Sequence, residues 1–288
     1  MLSPGIPAAT YGSMANDNGH LLFDETTIED ARRDPVASRF IRPYVGATEM
    51  LNAEGRWCLW LAEATPSEIR SSPLIMERLR RVRDYRANSD RAATRAAAEA
   101  PHLFVETRPV TEDFLLIPYV SSEARRYVPM MFYSPDTIVR APAWCIPGAD
   151  LWLFGILQSA MFMAWVRTVS GRLKSDLQLS IGTIYNPFPF PVECSTRVRE
   201  GIEGAASVLL HARSNQEGET LADIYNPLAM PRDLTAAHRA LDRAVDAAFA
   251  PRHHFESDME RLRLLFERYE RLRPSLRTGA ARPRGARR

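Results

Sequence analysis

Lysine is almost missing from this chain: of 37 basic residues only Lys174 is a lysine, and the rest are arginine. That lone ammonium marks either a place that wants a compact point charge instead of a planar fork, or a chance placement. Cysteine is scarce as well. Cys58, Cys145 and Cys194 are odd in number, scattered and without Cys-x-x-Cys spacing, which indicates neither a disulfide framework nor a zinc site and fits a reducing cytoplasm. Long apolar runs are also lacking. The longest, residues 151–166, is interrupted by Gln158 and Ser159 and falls short of the roughly 18 to 20 residues a bilayer span needs. It reads as a buried helix, and no membrane is expected. Residues 1–10 carry no basic leader and no apolar core, so secretion is not expected. Excess charge of one sign is absent too: 37 basic against 35 acidic residues leave +2, so any nucleic-acid argument has to rest on local clusters.

Catalytic signatures are missing in the same way. Metal-dependent nucleases of the Asp…Asp/Glu-x-Lys kind need a lysine two places after a carboxylate, whereas Lys174 follows Gly171, Arg172 and Leu173. There is no phosphate-cradling Gly-x-x-x-x-Gly-Lys-Ser/Thr and no Gly-x-Ser-x-Gly elbow. The histidines (His20, His102, His211, His238, His253, His254) lack i,i+4 spacing about a carboxylate. A Ser/His/Asp triad assembled only in the fold stays open, with nothing to favour it. Tyr185-Asn186-Pro187-Phe188 has two readings. Amino-methyltransferases grip a flipped base with an Asn/Asp-Pro-Pro-aromatic loop, but here the second proline and the aromatic are exchanged, and no strand ending in a glycine-rich turn precedes it for S-adenosylmethionine. The other reading, an extended segment leaving a strand, follows from prolines that lock φ and break ladders.

What is present is an ordinary globular composition, 45% hydrophobic and 25% charged over 288 residues, enough for two modest domains. The turn cluster at residues 11–19 leads into apolar residues 20–23, a loop entering a strand or helix. Residues 24–40 have weak helical spacing, residues 40–46 with Pro43 read as a bend, and residues 56–61 read as a buried strand. Ser72 followed by Pro73 predicts a helix running to about Asn88, and Ser89 or Asp90 can cap a second, alanine-rich one ending before Pro101. Arg78, Arg80, Arg81, Arg83, Arg86, Arg91 and Arg95 on this pair either track phosphates or form a solvated face, the second being favoured.

Short β-rich runs are expected at residues 103–108, 114–120, 126–132 and 138–146. Between two of them Ser121, Ser122, Glu123, Arg125 and Arg126 form a hairpin loop suited to base-edge and phosphate contacts, or else a plain exposed turn. Residues 151–169 predict one apolar helix. Next, Asp176, Gln178 and Ser180 alternate with Leu177, Leu179 and Ile181, a strand with one polar and one buried face. Residues 197–215, 234–249 and 259–272 predict helices, with an irregular connection at 220–231 and a disordered basic tail at 274–288.

Five blocks together resemble a known family: GSMANDNGHLL (residues 12–22), RWCLWL (56–61), SSEARRYVP (121–129), IPGADLWLFGILQSAMFMAWVRTVSGRLKSD (146–176) and YNPFPFP (185–191). They look like the C-terminal half of the single-chain Type IIL, or Type IIG-like, restriction-modification enzymes and their lone-methyltransferase relatives. Where that family usually reads YNNFPWP, this chain has Pro187 and Phe190. The resemblance implies an α+β fold with a mixed or antiparallel sheet. It divides the chain into an unassigned segment at 1–10, a DNA target recognition domain at 11–193 and a helical C-terminal domain at 194–273.

It further implies that DNA sequence is read by Ser122, Glu123, Arg125 and Arg126 at one end and by Lys174, Ser175, Asp176, Gln178 and Ser180 at the other. In physical terms Lys174 would serve as a phosphate point charge, Gln178 as a bidentate partner for adenine and Ser180 as an adaptable hydroxyl. The expected partners are double-stranded DNA and a methyltransferase-bearing chain. S-adenosylmethionine belongs to that other part, and no cofactor or catalytic centre is expected here. The competing readings are an active adenine methyltransferase with a rearranged loop at 186–190, and an inert remnant.

Overall fold

A computed structural model describes residues 1–273; the tail expected at 274–288 lies outside the described residues. The chain opens with strands β1 (Thr10–Tyr11) and β2 (Leu22–Asp24), helix α1 (Ile28–Arg33), strand β3 (Ile41–Val45), helix α2 (Ala47–Asn52) and strand β4 (Arg56–Leu59). Helix α3 (Pro66–Ser71) begins with a capping box between Thr65 and Glu68. Helix α4 (Pro73–Ala87) starts where Ser72 and Pro73 predict: Ser72 Oγ accepts from Ile75 N at 3.1 Å, and proline sits where an N–H would go unused. Helix α5 (Ala92–Ala96) is capped from Arg91 without a side-chain bond, not from Ser89 or Asp90. Ser89 Oγ spends itself on the N–H of Arg91 instead.

Five short strands follow, β5 (Phe114–Ile117), β6 (Val120–Ser121), β7 (Met131–Tyr133), β8 (Ile138–Val139) and β9 (Trp144–Pro147). The run expected at 103–108 forms only an isolated bridge from Met14 to Glu106, because Phe104 turns inward against Tyr44 and Trp60. Within 126–132, only the end is strand. The carbonyls of Val128 and Met130 accept from the side chains of Gln158 and Arg213, so that backbone is satisfied without a ladder.

The apolar run is two helices, α6 (Leu151–Leu157) and α7 (Ala160–Val169), bent by 54°. The bend sits at the polar pair: Ser159 Oγ caps α7 by accepting from Phe162 N, while the Gln158 amide turns away to Val128. Among the described residues no single helix is long and apolar enough to cross a membrane. Strands β10 (Gly171–Leu173) and β11 (Asp176–Gln178) come next, then a π-helical turn over Ile181–Tyr185. The described residues finish with helices α8 (Thr196–Ser214), α9 (Leu221–Ile224), α10 (Arg232–Phe249) and α11 (Asp258–Leu272), so residues 196–272 are mainly helical as expected.

The strands make three small sheets, ordered β2-β4-β3-β8, β1-β9-β5-β7 and β10-β11-β6. All pairs are antiparallel except β3 with β8. The class is therefore α+β with mixed and antiparallel sheets. Residues 40–46, expected to bend, supply β3. Pro43 is tolerated there because it faces Trp57 on β4, while β8 reaches only Tyr44 and Val45, so no ladder partner waits for its missing N–H.

Two hydrophobic cores lie beneath these sheets. The smaller gathers Leu21, Phe23, Tyr44, Leu59, Trp60, Ile75 and Val82 under the first sheet. The larger runs from Phe114 through α6 and α7 to α8, α10 and Leu265 without a break at residue 193. At Gly155 a Cβ would stand 2.6 Å from Ile202 Cγ2, so α6 meets α8 at glycine distance.

The arginine-rich pair α4–α5 is not one solvated face. Arg80 and Arg81 are exposed and bridge to Glu77 at 2.9–3.1 Å. Arg78 is half-buried over the Phe23 ring at 4.0 Å. Arg86 is fully buried, and its three nitrogens donate to the carbonyls of Ala15, Asn16, Ala97, Ala100 and Leu103 at 2.8–3.2 Å.

Candidate nucleic-acid interface

The two segments expected to read DNA lie some fifty positions apart in sequence and meet in one small sheet. Leu177 of β11 pairs with Ser121 of β6, and Gln178 with Val120, while β10 folds back on β11 with Leu173 opposite Asp176. Alternation does the positioning: Leu177 and Leu179 are buried, and Asp176 and Gln178 fall on the other face, half-buried. The β10–β11 turn has only two residues, and its first, Lys174, holds φ at 57°. That left-handed backbone is disfavoured for a side chain with a Cβ, and here it sets an exposed ammonium at the tip of the ribbon.

Around that tip the charges are arranged in pairs. Arg172, which the sequence reading passed over, bridges to Glu123 at 2.9 Å and also donates to the Ser175 carbonyl at 2.9 Å, tying the loop to the ribbon. Its signal was its place two positions before Lys174. Glu123 is exposed, yet its carboxylate already has a partner, so a cytosine amine would have to compete with Arg172. Arg125 is only half exposed; burial draws its guanidinium below the usual value while the Asp176 charge opposes that.

Other expected residues are partly committed or placed elsewhere. Gln178 Nε2 donates to Tyr119 Oη at 2.7 Å, so reading adenine with both amide atoms requires breaking that bond. A Cβ at Gly171 would be 2.8 Å from Gln178 Oε1, so a side chain there would push that amide aside. Ser180 lies beyond the ribbon, its hydroxyl bonded to Thr183 at the start of the π turn. Of the two loop serines only Ser122 is accessible; Ser121 is buried, its hydroxyl unpartnered. The loop is not a simple hairpin either, because β6 leaves β5 to join β11 before the chain returns to β7. Arg126 is exposed on the helical side, over the Tyr127 ring at 5.6 Å, lining a cleft of about 340 Å³ with Asp242 and Arg261.

The Asn186–Phe190 segment is neither an extended strand exit nor an open loop. It follows the π turn, and the rings of Phe188 and Phe190 have no exposed surface. Phe188 packs edge-on against Phe162 at 5.2 Å and Phe249 at 6.0 Å. The N-terminal residues close over it, with Leu2 N donating to the Asn186 carbonyl at 2.7 Å and Ser3 Oγ to that of Phe188 at 3.3 Å. A ring with no free face cannot stack on an extruded base, so this segment does not fit the methyl-transfer loop.

Comparison with known proteins agrees with the architecture. The family described as MmeI, target recognition domain, matches residues 2–192, and the one described as MmeI, C-terminal domain, matches residues 194–277. DNA methyltransferase A of Bacillus subtilis (strain 168) is 41% identical over 268 residues, 93% of this chain and 30% of that protein. The solved structure of the Type IIL restriction-modification enzyme MmeI in complex with DNA superimposes with a TM-score of 0.89 at 36% identity, covering 94% of this chain and 36% of that one. This chain thus spans about a third of the length of each relative. With both family models matched in order along it, the chain belongs to the MmeI family, as a target recognition domain followed by the family's C-terminal domain.

Proposed function

We propose that this chain is the DNA-reading part of an adenine-N6 DNA methyltransferase or restriction-modification assembly, and that methyl transfer and cleavage are carried out elsewhere in that assembly. The observation that carries the reading is the joining of residues 120–121 and 171–178 into one sheet, which brings Ser122 and Glu123 of the adjoining loop beside Arg172 and Lys174 at its rim. Lysine and arginine there supply phosphate contacts, while the carboxylate and hydroxyl can address base edges. That MmeI was solved bound to DNA, with a closely similar fold, supports duplex DNA as the ligand.

S-adenosylmethionine belongs, in this reading, to a methyltransferase-bearing part. Among the described residues no strand ends in a glycine-rich turn, and the candidate loop at 186–190 is enclosed at Phe188 and Phe190. The cytoplasm is the expected site of action. The test is to measure binding to duplex DNA over a range of salt, and transfer of a labelled methyl group, for the chain alone and with a methyltransferase partner. Salt-sensitive DNA binding without methyl transfer by the chain alone is expected; methyl transfer by the chain alone sinks the division of labour.

A further inference from the structure

The reading loop is held less by its own sheet than by the helices behind it. The β6–β11 ladder contributes just two residue pairs. Downstream, the segment from Arg125 to Met130 is tied to side chains of the helical region at four of its six residues, three through backbone carbonyls and Tyr127 through its hydroxyl. Arg167 of α7 donates to the Arg125 carbonyl at 3.4 Å while bridging to Asp258 of α11 at 3.0 Å. Gln158 and Arg213 take the carbonyls of Val128 and Met130 at 2.6 and 2.7 Å. Tyr127 between them is fully buried, and its hydroxyl donates to Asp242 Oδ2 on α10 at 2.7 Å.

We propose that the C-terminal helices moor the recognition loop in its DNA-reading pose, with Tyr127 and Asp242 as the positioning residues. The inference rests on the DNA-reading role proposed above and adds to it a task for the helical region. Asp242 suits the role because its two oxygens serve two elements at once: Oδ2 accepts from Tyr127, and Oδ1 accepts from the N–H of Ala160 at the start of α7, also at 2.7 Å. A carboxylate accepts on both sides, whereas an amide would turn a donor toward one of them. The Tyr127 ring lies flat on His238 of α10, centroids 3.7 Å apart at 10°. His238 in turn meets Tyr225 Oη at 2.9 Å, and Arg213 Nε donates to that same oxygen at 2.8 Å. A hydroxyl clamped at its ring and its tip leaves residues 122–126 little room to swing.

The test uses the full 288-residue chain with Tyr127→Phe and Asp242→Asn. Tyr127→Phe keeps the ring stack and removes one oxygen, so it serves even where Asp242→Asn fails to fold. Amide hydrogen exchange is measured over residues 119–126 and 171–178, with α4 as internal reference. Exchange at least about tenfold faster in the loop, with α4 unchanged, is expected for loss of a charge-assisted buried bond; unchanged loop exchange overturns the mooring. In a second arm, parent and Tyr127→Phe are each used to enrich binders from a randomised duplex library. The variant is expected to yield a less sharply defined sequence at an unaltered salt dependence, since the phosphate-contacting residues remain. An equally sharp motif from the variant overturns the positioning role. A chain that was merely less stable would lose all sequences alike, which overturns it too. A parent that enriches no sequence sinks the DNA-reading proposal, and the mooring is then decided by the exchange arm.

Discussion

The two cores bury polar groups in opposite ways. In the smaller, one cation, Arg86, sits among five main-chain carbonyls from residues 15–16 and 97–103, with no carboxylate at hydrogen-bonding distance. In the larger, the buried side chains also meet one another: Tyr127 bonds to Asp242 and stacks on His238, and His238, Tyr225, Arg213 and Gln158 are joined by hydrogen bonds. A guanidinium can organise irregular backbone because its rigid fork offers five donors at once. A network of side chains instead links elements to one another, and each member depends on the next. The first arrangement fixes a shape at a single point; the second carries position from the helices to the loop.

The comparison breaks most easily at Arg86. Replacing it with Met leaves five buried carbonyls without that donor and should cost about 3–5 kcal/mol, the range for removing one side of a buried charged contact. Arg86→Lys should recover only part of this, because an ammonium has three donors and no fork. Urea denaturation followed by tryptophan fluorescence reads the loss; a cost below about 1 kcal/mol would mean that water replaces the guanidinium and that the two cores do not differ as described. Next in size is Gly155→Ala in the larger core. The added carbon would meet Ile202 Cγ2 at 2.6 Å and Leu241 Cδ1 at 3.2 Å, an overpacking worth about 1–3 kcal/mol. Pairing it with Ile202→Ala should give a less than additive loss, since the second change removes the obstructing atoms.

This contrast was legible in the sequence only in part. Patterns that depend on neighbours along the chain transferred well: the Ser72–Pro73 start of α4, the strand at 56–59, and the alternation that buries Leu177 and Leu179. What failed had long-range causes. Arg86 has the same local pattern as Arg83, and only the return of residues 15–16 and 97–103 around it turns one into a core residue and leaves the other in solvent. Pro43 looked like a bend because the shortness of β8 cannot be read locally. In the candidate site, the polar identity of residues 122–126 and 174–178 was visible, but not that Arg172 ties the two together or that Tyr119 occupies the Gln178 amide.

Protonation sharpens the comparison, because the larger core holds, and the smaller one borders, a histidine made less basic by burial. His238 is pushed well below 6.5 by burial and by the Arg213 charge, and His102, at the edge of the small core, is lowered by partial burial and by Arg86. In both cases the folded chain refuses a proton that the unfolded chain accepts below pH 6.5. Their contribution to stability is therefore complete above that pH and is lost as pH falls, by at most about 1.4 kcal/mol per pH unit for each group. Asp242 runs the other way: burial raises its carboxyl, so its contribution is complete below the ordinary aspartate range and is lost as pH rises through the raised value. Unfolding midpoints should thus fall between pH 7 and 5.5. His238→Phe, which keeps an aromatic face for Tyr127, should remove most of that slope and His102→Phe a smaller share, because His102 remains partly solvated. An unchanged slope in His238→Phe would show that the network takes up the proton at little cost.

The smallest expected effect on stability belongs to the ribbon, which lies outside both cores. Lys174→Gly relieves the left-handed backbone at φ 57°, but glycine also gives the unfolded chain more freedom, so the net change should be under about 1 kcal/mol. Its effect on DNA should be of another kind. Removing one phosphate-contacting cation should lower the slope of log affinity against log salt by about one and weaken binding to all duplexes nearly uniformly. Loss of sequence preference at an unchanged salt slope would instead place Lys174 on a base edge. The ribbon would then read sequence at its tip, leaving the phosphate contacts to Arg172 and the loop arginines.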